Sequence, residues 1–167
     1  MTKDKLKISD SEIDEDGEEI ITKYSINNNI IALLNSKDCK HLFKAIKIVT
    51  NGHISIALYD VSKNSIELFD SGGSSKNSIH TRKQQTVLNY IFKYVILPSK
   101  TKPSIQLVNL QNLQISDNFC QTYIYYYIYQ RTLVDEPAHR IVAELQKLTS
   151  LERFNLMSKF WFFITHS

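Results

Sequence analysis

Residues 42–70 read LFKAIKIVTNGHISIALYDVSKNSIELFD, and the fold turns on how this text is punctuated. The run 42–49 (LFKAIKIV) is rich in β-branched and apolar residues and has strand character. Asn51-Gly52 follows it, a pair that tolerates the positive φ angles of a tight hairpin turn. Residues 53–60 (HISIALYD) alternate like a half-buried strand, and Val61-Ser62-Lys63-Asn64 makes a second turn. A third strand, 65–70 (SIELFD), ends at Ser71-Gly72-Gly73. The expected product is a three-strand antiparallel meander.

Working outward, residues 82–97 place Val87, Leu88, Ile91, Tyr94 and Val95 at helical spacing, and Pro98 and Pro103 close that element. A short apolar run at 105–110 (IQLVNL) fits one more strand. Asp117 or Asn118 then serves as N-cap for a helix from about 119 to 133 (FCQTYIYYYIYQRTL). Two further helices fit 137–148 and 150–164, the second ending in the cluster Phe160, Trp161, Phe162, Phe163. Upstream, 20–35 reads as a helix or irregular segment broken at Asn27-Asn28-Asn29. A sheet, a helix, a strand and then helices make an α+β domain.

The chain has 167 residues, 43% of them hydrophobic and 22% charged, which excludes wholesale disorder and fits one domain. It carries no apolar run near the length of a membrane span and no signal-peptide core, so an intracellular, non-secreted location is expected. Two cysteines cannot make a disulfide framework or, alone, a Cys-rich zinc site. Counts of 21 Ile against 5 Ala and 16 Lys against 4 Arg are what AT-rich codons produce. Residues 10–19 (DSEIDEDGEE) hold 7 of the 17 acidic side chains and no base. Such a run cannot bury enough apolar area to offset its ordering entropy, so 1–19 is expected to be a flexible acidic arm and 20–167 the folded body. That body has 17 basic and 9 acidic side chains, a net charge of +8 that favours polyanions such as DNA.

Cys120 falls in the first turn of an expected helix, where unpaired N–H groups and the helix dipole favour a thiolate. The same residue could equally serve as a small buried hydrophobe. His53 opens one strand of the hairpin and Asp70 closes its neighbour, so antiparallel pairing brings both to the same rim. An imidazole oriented by a carboxylate can act as base and as stabilised imidazolium, and a helix start delivering Cys120 to that rim would complete a Cys–His–Asp relay. Read one at a time, His53 is also an ordinary turn residue and Asp70 an ordinary turn starter.

Taken together the residues resemble a family. His53 before an alternating apolar strand, the aromatic and Asp of FDSGG, and Gln114 ahead of Cys120 on a Tyr-rich helix resemble the Ulp1/adenain superfamily of cysteine proteases. The intervals agree too: 17 residues from His53 to Asp70, 50 from Asp70 to Cys120 and 6 from Gln114 to Cys120. The segment DNFCQTY is similar to that of maturation proteases from large DNA viruses and virophages. The resemblance covers about 42–133 and implies a papain-like, adenain-like fold: a mostly antiparallel sheet flanked by helices, with the nucleophile at a helix N-terminus.

It further implies a thiol endopeptidase that cleaves after small residues such as Gly and processes capsid or scaffold precursors during virion maturation. Cys120 would be the nucleophile, His53 the general base and acid, Asp70 the group orienting His53, and Gln114 a side-chain donor to the oxyanion. No metal or organic cofactor is implied; DNA or a peptide could act as activator, since adenoviral relatives use DNA. The expected setting is a monomer in the host cytoplasm or virus factory, packaged in the virion, without membrane contact. A ubiquitin-like deconjugase and a non-catalytic binding module on the same fold are the two rival readings. Ile54 stands where the family usually has Trp, and Phe119-Cys120-Gln121 where many cellular members have Asp-Cys-Gly, which loosens the expectation of tight Gly-Gly selectivity.

Other candidates carry less. Cys39 and His41 lack partner ligands, and His80, His139 and His166 read as surface or helix-end residues. Tyr123, Tyr126, Tyr127 and Tyr129 read as core plus rim.

Overall fold

The computed structural model describes residues 5–13, 19–27, 43–50, 53–73, 84–86, 88–89, 103–114 and 119–166. The meander stands where the sequence places it. Strands β1 (Lys5–Ile13) and β2 (Glu19–Asn27) form a separate antiparallel pair, while β3 (Phe43–Thr50), β4 (His53–Asp60), β5 (Ser65–Phe69) and β6 (Ser104–Leu107) form one sheet in that order. Thr50 pairs with His53, so β3 and β4 are joined by two residues, as Asn51-Gly52 requires; the turn itself lies outside the described residues. The second turn is closed by Asn64 at φ 48°, a left-handed conformation that asparagine tolerates. Asp60 organises it, accepting from Ser62 N–H at 3.0 Å, Ser62 Oγ at 2.6 Å and Lys63 N–H at 3.1 Å.

The strand expected at 105–110 is β6, and it lies parallel to β5, Ser65 opposite Ser104 and Leu68 opposite Leu107. The four-stranded sheet is therefore mixed. A parallel return needs a crossover; of the helix expected at 82–97, residues 84–86 and 88–89 are helical and the remainder lies outside the described residues.

One expectation is corrected near the N-terminus. Residues 19–27 are a strand, where a helix or irregular segment is expected over 20–35. The sequence repeats Ile20, Thr22, Tyr24 and Ile26 at period two, a pattern that favours extended chain. Residues 5–13, part of the expected arm, pair along their whole length with 27–19, so the pairing runs across residue 19.

Three helices follow among the described residues: α1 (Cys120–Thr132), α2 (Ala138–Lys147) and α3 (Ser150–His166). The Tyr-rich text of α1 reflects a helix packed on two sides. Tyr123 and Tyr127 face the sheet and are buried, with Tyr127 stacked on Phe69 at 4.4 Å between centroids. Tyr126 and Tyr129 meet Phe160 of α3 edge-on at 5.3 and 5.6 Å. Ile141, Val142 and Leu145 of α2 and Met157 of α3 join Ile56, Leu58, Phe69, Tyr123, Ile124 and Tyr127 in one core. A capping box starts α3: Glu152 accepts from Thr149 N–H at 2.7 Å while Thr149 Oγ1 accepts from Glu152 N–H at 3.3 Å.

The direction of α1 decides which end of the sheet meets Cys120. Tyr123 donates its hydroxyl to Leu113 O at 3.3 Å, beside the end of β5. One turn on, Tyr127 donates to Glu67 Oε2 at 2.6 Å. Another turn on, Arg131 forks onto Glu67 with two bonds of 2.8 Å and lies over the Phe43 ring at 5.0 Å, at the far end of β3. The helix thus runs antiparallel to β5, and its N-terminus lies at the end of the sheet where β4 begins and β5 stops.

Candidate active site

At that rim His53 Nε2 and Asp70 Oδ1 are 2.6 Å apart. An ionised carboxylate can only accept, so Nε2 carries the hydrogen, leaving Nδ1 as the ring atom that can exchange a proton. Asp70 is 1% exposed, yet both its oxygens are satisfied. Gly72 N–H donates to Oδ1 at 2.8 Å and Gln84 Nε2 to Oδ2 at 2.8 Å. Its main-chain carbonyl accepts from Gly73 N–H at 3.0 Å and from Asn109 Nδ2 at 2.6 Å.

These bonds set the charge state. Burial alone would push the Asp70 carboxyl up, but the hydrogen bonds from His53 and Gln84, the imidazolium charge and the Gly72 N–H together hold it below the usual carboxylate range. The hydrogen bond to Asp70 raises His53 above its ordinary value; partial burial works against this and the carboxylate charge works with it. Each partner thus favours the charged form of the other.

Of the two glycines in the turn, Gly72 fits tightly and Gly73 is sterically required. A β-carbon on Gly72 would lie 3.2 Å from Asp70 Oδ1 and 3.5 Å from the His53 ring, and one on Gly73, at φ +87°, would lie 2.8 Å from the Gln111 carbonyl carbon. The second contact shows how closely residues 109–114 are laced to 68–73. Val108 N–H donates to Leu68 O at 3.2 Å, Leu113 N–H to Ser71 O at 2.8 Å and Gln114 N–H to the same Ser71 O at 3.3 Å. Gln114 N–H is shared with Asn112 Oδ1 at 2.9 Å. Gln114 is thereby fixed one residue from Asp70 in the hydrogen-bond network.

Cys120 opens α1 and is partly exposed, with a free thiol. Phe119 is the N-cap, without a side-chain cap, and the first turn of the helix itself holds no acidic residue. The expected caps Asp117 and Asn118 lie outside the described residues. Tyr123 links this turn to Leu113, and Leu113 links to Ser71, the neighbour of Asp70. Strand alternation puts His53, Ser55 and Asp70 on one face of the sheet and Ile54, Ile56 and Phe69 on the face that α1 covers. Compared with family models, with curated proteins and with solved structures, the chain matches none.

Of the four residues singled out in the sequence, His53 and Asp70 are in direct contact, Gln114 N–H reaches Ser71 O beside Asp70, and Cys120 opens the helix whose Tyr123 donates to Leu113 O. Sequence reasoning misses Gln84 and Asn109; neither stands in a motif, and only the fold brings them to Asp70. Ile54 packs against the α1 core, an aliphatic contact in the place where the family resemblance leads one to expect Trp. His139 and His166 are exposed, while Cys39, His41 and His80 lie outside the described residues. Among the described residues no three His, Cys, Asp or Glu side chains group as metal ligands, and no helix is long and apolar enough to cross a membrane.

Proposed function

We propose that the chain is a thiol endopeptidase of the Ulp1/adenain type, with a papain-like placement of its nucleophile. One observation supports this reading: the 2.6 Å His53–Asp70 pair lies at the end of the sheet toward which the N-terminal end of α1 is directed. In the reaction His53 Nδ1 takes the thiol proton, and the Cys120 sulfur forms a bond to the scissile carbonyl carbon. The oxyanion so created is stabilised by N–H donors at the start of α1 and by the Gln114 amide. As the C–N bond breaks, the imidazolium returns its proton to the leaving amine, and a thioester remains. Water, deprotonated by His53, attacks the thioester carbon; the acid departs and the thiol is regenerated. Asp70 holds the ring and offsets its charge throughout.

Cleavage after small residues in capsid or scaffold precursors, in a virus factory or virion, rests on the likeness of DNFCQTY to viral maturation proteases. DNA contact rests on the +8 body. The test is incubation of wild type and Cys120→Ala with a proteome-derived peptide library, reading new termini by mass spectrometry. Wild type is expected to cut after Gly-type residues and Cys120→Ala not at all; cutting that survives the substitution ends the thiol mechanism. Covalent capture by ubiquitin-like vinyl-sulfone probes would instead assign a deconjugase, and a folded protein inert in both assays a binding module.

A further inference from the structure

Gln84 is fully buried, and its amide nitrogen donates both hydrogens: one to Asp70 Oδ2 at 2.8 Å, the other to Ser55 Oγ at 2.9 Å. The orientation of this amide is fixed by chemistry, because a carboxylate cannot donate and so must face the NH2 end. Ser55 lies two residues beyond His53 on β4 and shares its face, and Asp70 follows the end of β5. One side chain thus bridges the two strands that carry the imidazole and the carboxylate. Gln84 Oε1, at the other end of the amide, is buried without a hydrogen-bond partner. An apolar side chain of the same length would leave no such orphan, so the amide's presence is explained by its two donors and not by packing.

We propose that Gln84 is the positioning residue of the site: its amide, anchored on Ser55, locks the Asp70 carboxylate in the rotamer that presents Oδ1 to His53. With Oδ2 held by Gln84 and Oδ1 by Gly72 N–H, the carboxylate plane is pinned from both sides, and the lone pair left on Oδ1 is aimed at Nε2. Remove the amide and one pin is gone; the carboxylate can turn about its χ2 and the ring loses its fixed partner. That Asp70 and His53 act in catalysis rests on the function proposed above; that Gln84 orients them does not.

The experiment is an NMR titration of the His53 ring in the full chain, for wild type, Gln84→Met and Ser55→Ala, with peptide cleavage followed on the same samples. In Gln84→Met the His53 midpoint is expected to fall toward its ordinary value, with kcat reduced tenfold or more and KM unchanged. Ser55→Ala, which loosens the anchor but keeps the bond to Asp70, should move the midpoint the same way by less. A folded Gln84→Met with a wild-type His53 midpoint overturns the proposal. If that variant does not fold, an unmoved midpoint in Ser55→Ala overturns it instead. A chain whose His53 midpoint shifts as expected but which never cleaves a peptide keeps Gln84 as positioning residue and refutes the protease reading alone.

Discussion

At the scale of single residues, the His53–Asp70 pair ties stability to pH in a definite direction. His53 is raised above its ordinary 6.5, so its contribution is complete below that value and is lost as pH rises through the folded value. Asp70 is held below its ordinary 3.8, so its contribution is complete above that value and is lost as pH falls through the folded value. Urea unfolding midpoints should therefore be highest between these limits and decline on the alkaline side. Asp70→Asn should flatten the alkaline decline and cost about 1.5–3 kcal/mol near pH 6, the usual worth of charge-assisted hydrogen bonds. In a cleavage assay His53→Ala should lower kcat by roughly 10²–10⁴, the range of general acid–base catalysis. His53 and Asp70 are legible in the sequence because strand ends and turns are local signals. Gln84 and Asn109 are not: their partners lie 14 and 39 residues away, and nothing local distinguishes a buried glutamine from a solvated one.

At the scale of elements, the seating of α1 depends on a nearly buried ion pair. Arg131 and Glu67 are 7% and 13% exposed at the side chain, and Arg131 Nη1 also donates to Glu136 O at 3.0 Å, closing the link to α2. Breaking such a pair from one side leaves a buried charge without its counterpart. Arg131→Met should destabilise by about 3–5 kcal/mol, and the double variant Glu67→Leu/Arg131→Met by less than the two single changes together. Chemical denaturation of the four proteins tests this. Period and punctuation identify β3, β4, β5 and all three C-terminal helices to within a few residues. The apolar run locates β6, but its parallel pairing is not readable, because strand direction depends on a crossover that leaves no local mark. The β1–β2 pair escapes a reading in which the net charge of residues 10–19 outweighs the period-two pattern of the flanking text.

At the scale of the whole molecule, the basic body and the acidic N-terminal stretch set long-range behaviour. Binding to duplex DNA should weaken linearly in log salt, with a slope of about −0.9 for each phosphate neutralised. Fluorescence anisotropy across roughly 50 to 200 mM salt tests it, and an affinity indifferent to salt refutes it. Exchanging Asp14, Glu15 and Asp16 for their amides removes three negative charges and should tighten that binding. Synthesis from the N-terminus delivers β3, β4, β5 and Gln84 before residue 120 has been added to the chain. The His53 imidazole and the Asp70 carboxylate are thus both present on a nascent polypeptide that does not yet carry Cys120. The thiol arrives last, on a helix held by Glu67, Phe69 and Leu113, all made earlier. On the proposed mechanism a ribosome-bound fragment that ends before residue 120 cannot cleave a peptide, and activity waits for the docking of α1.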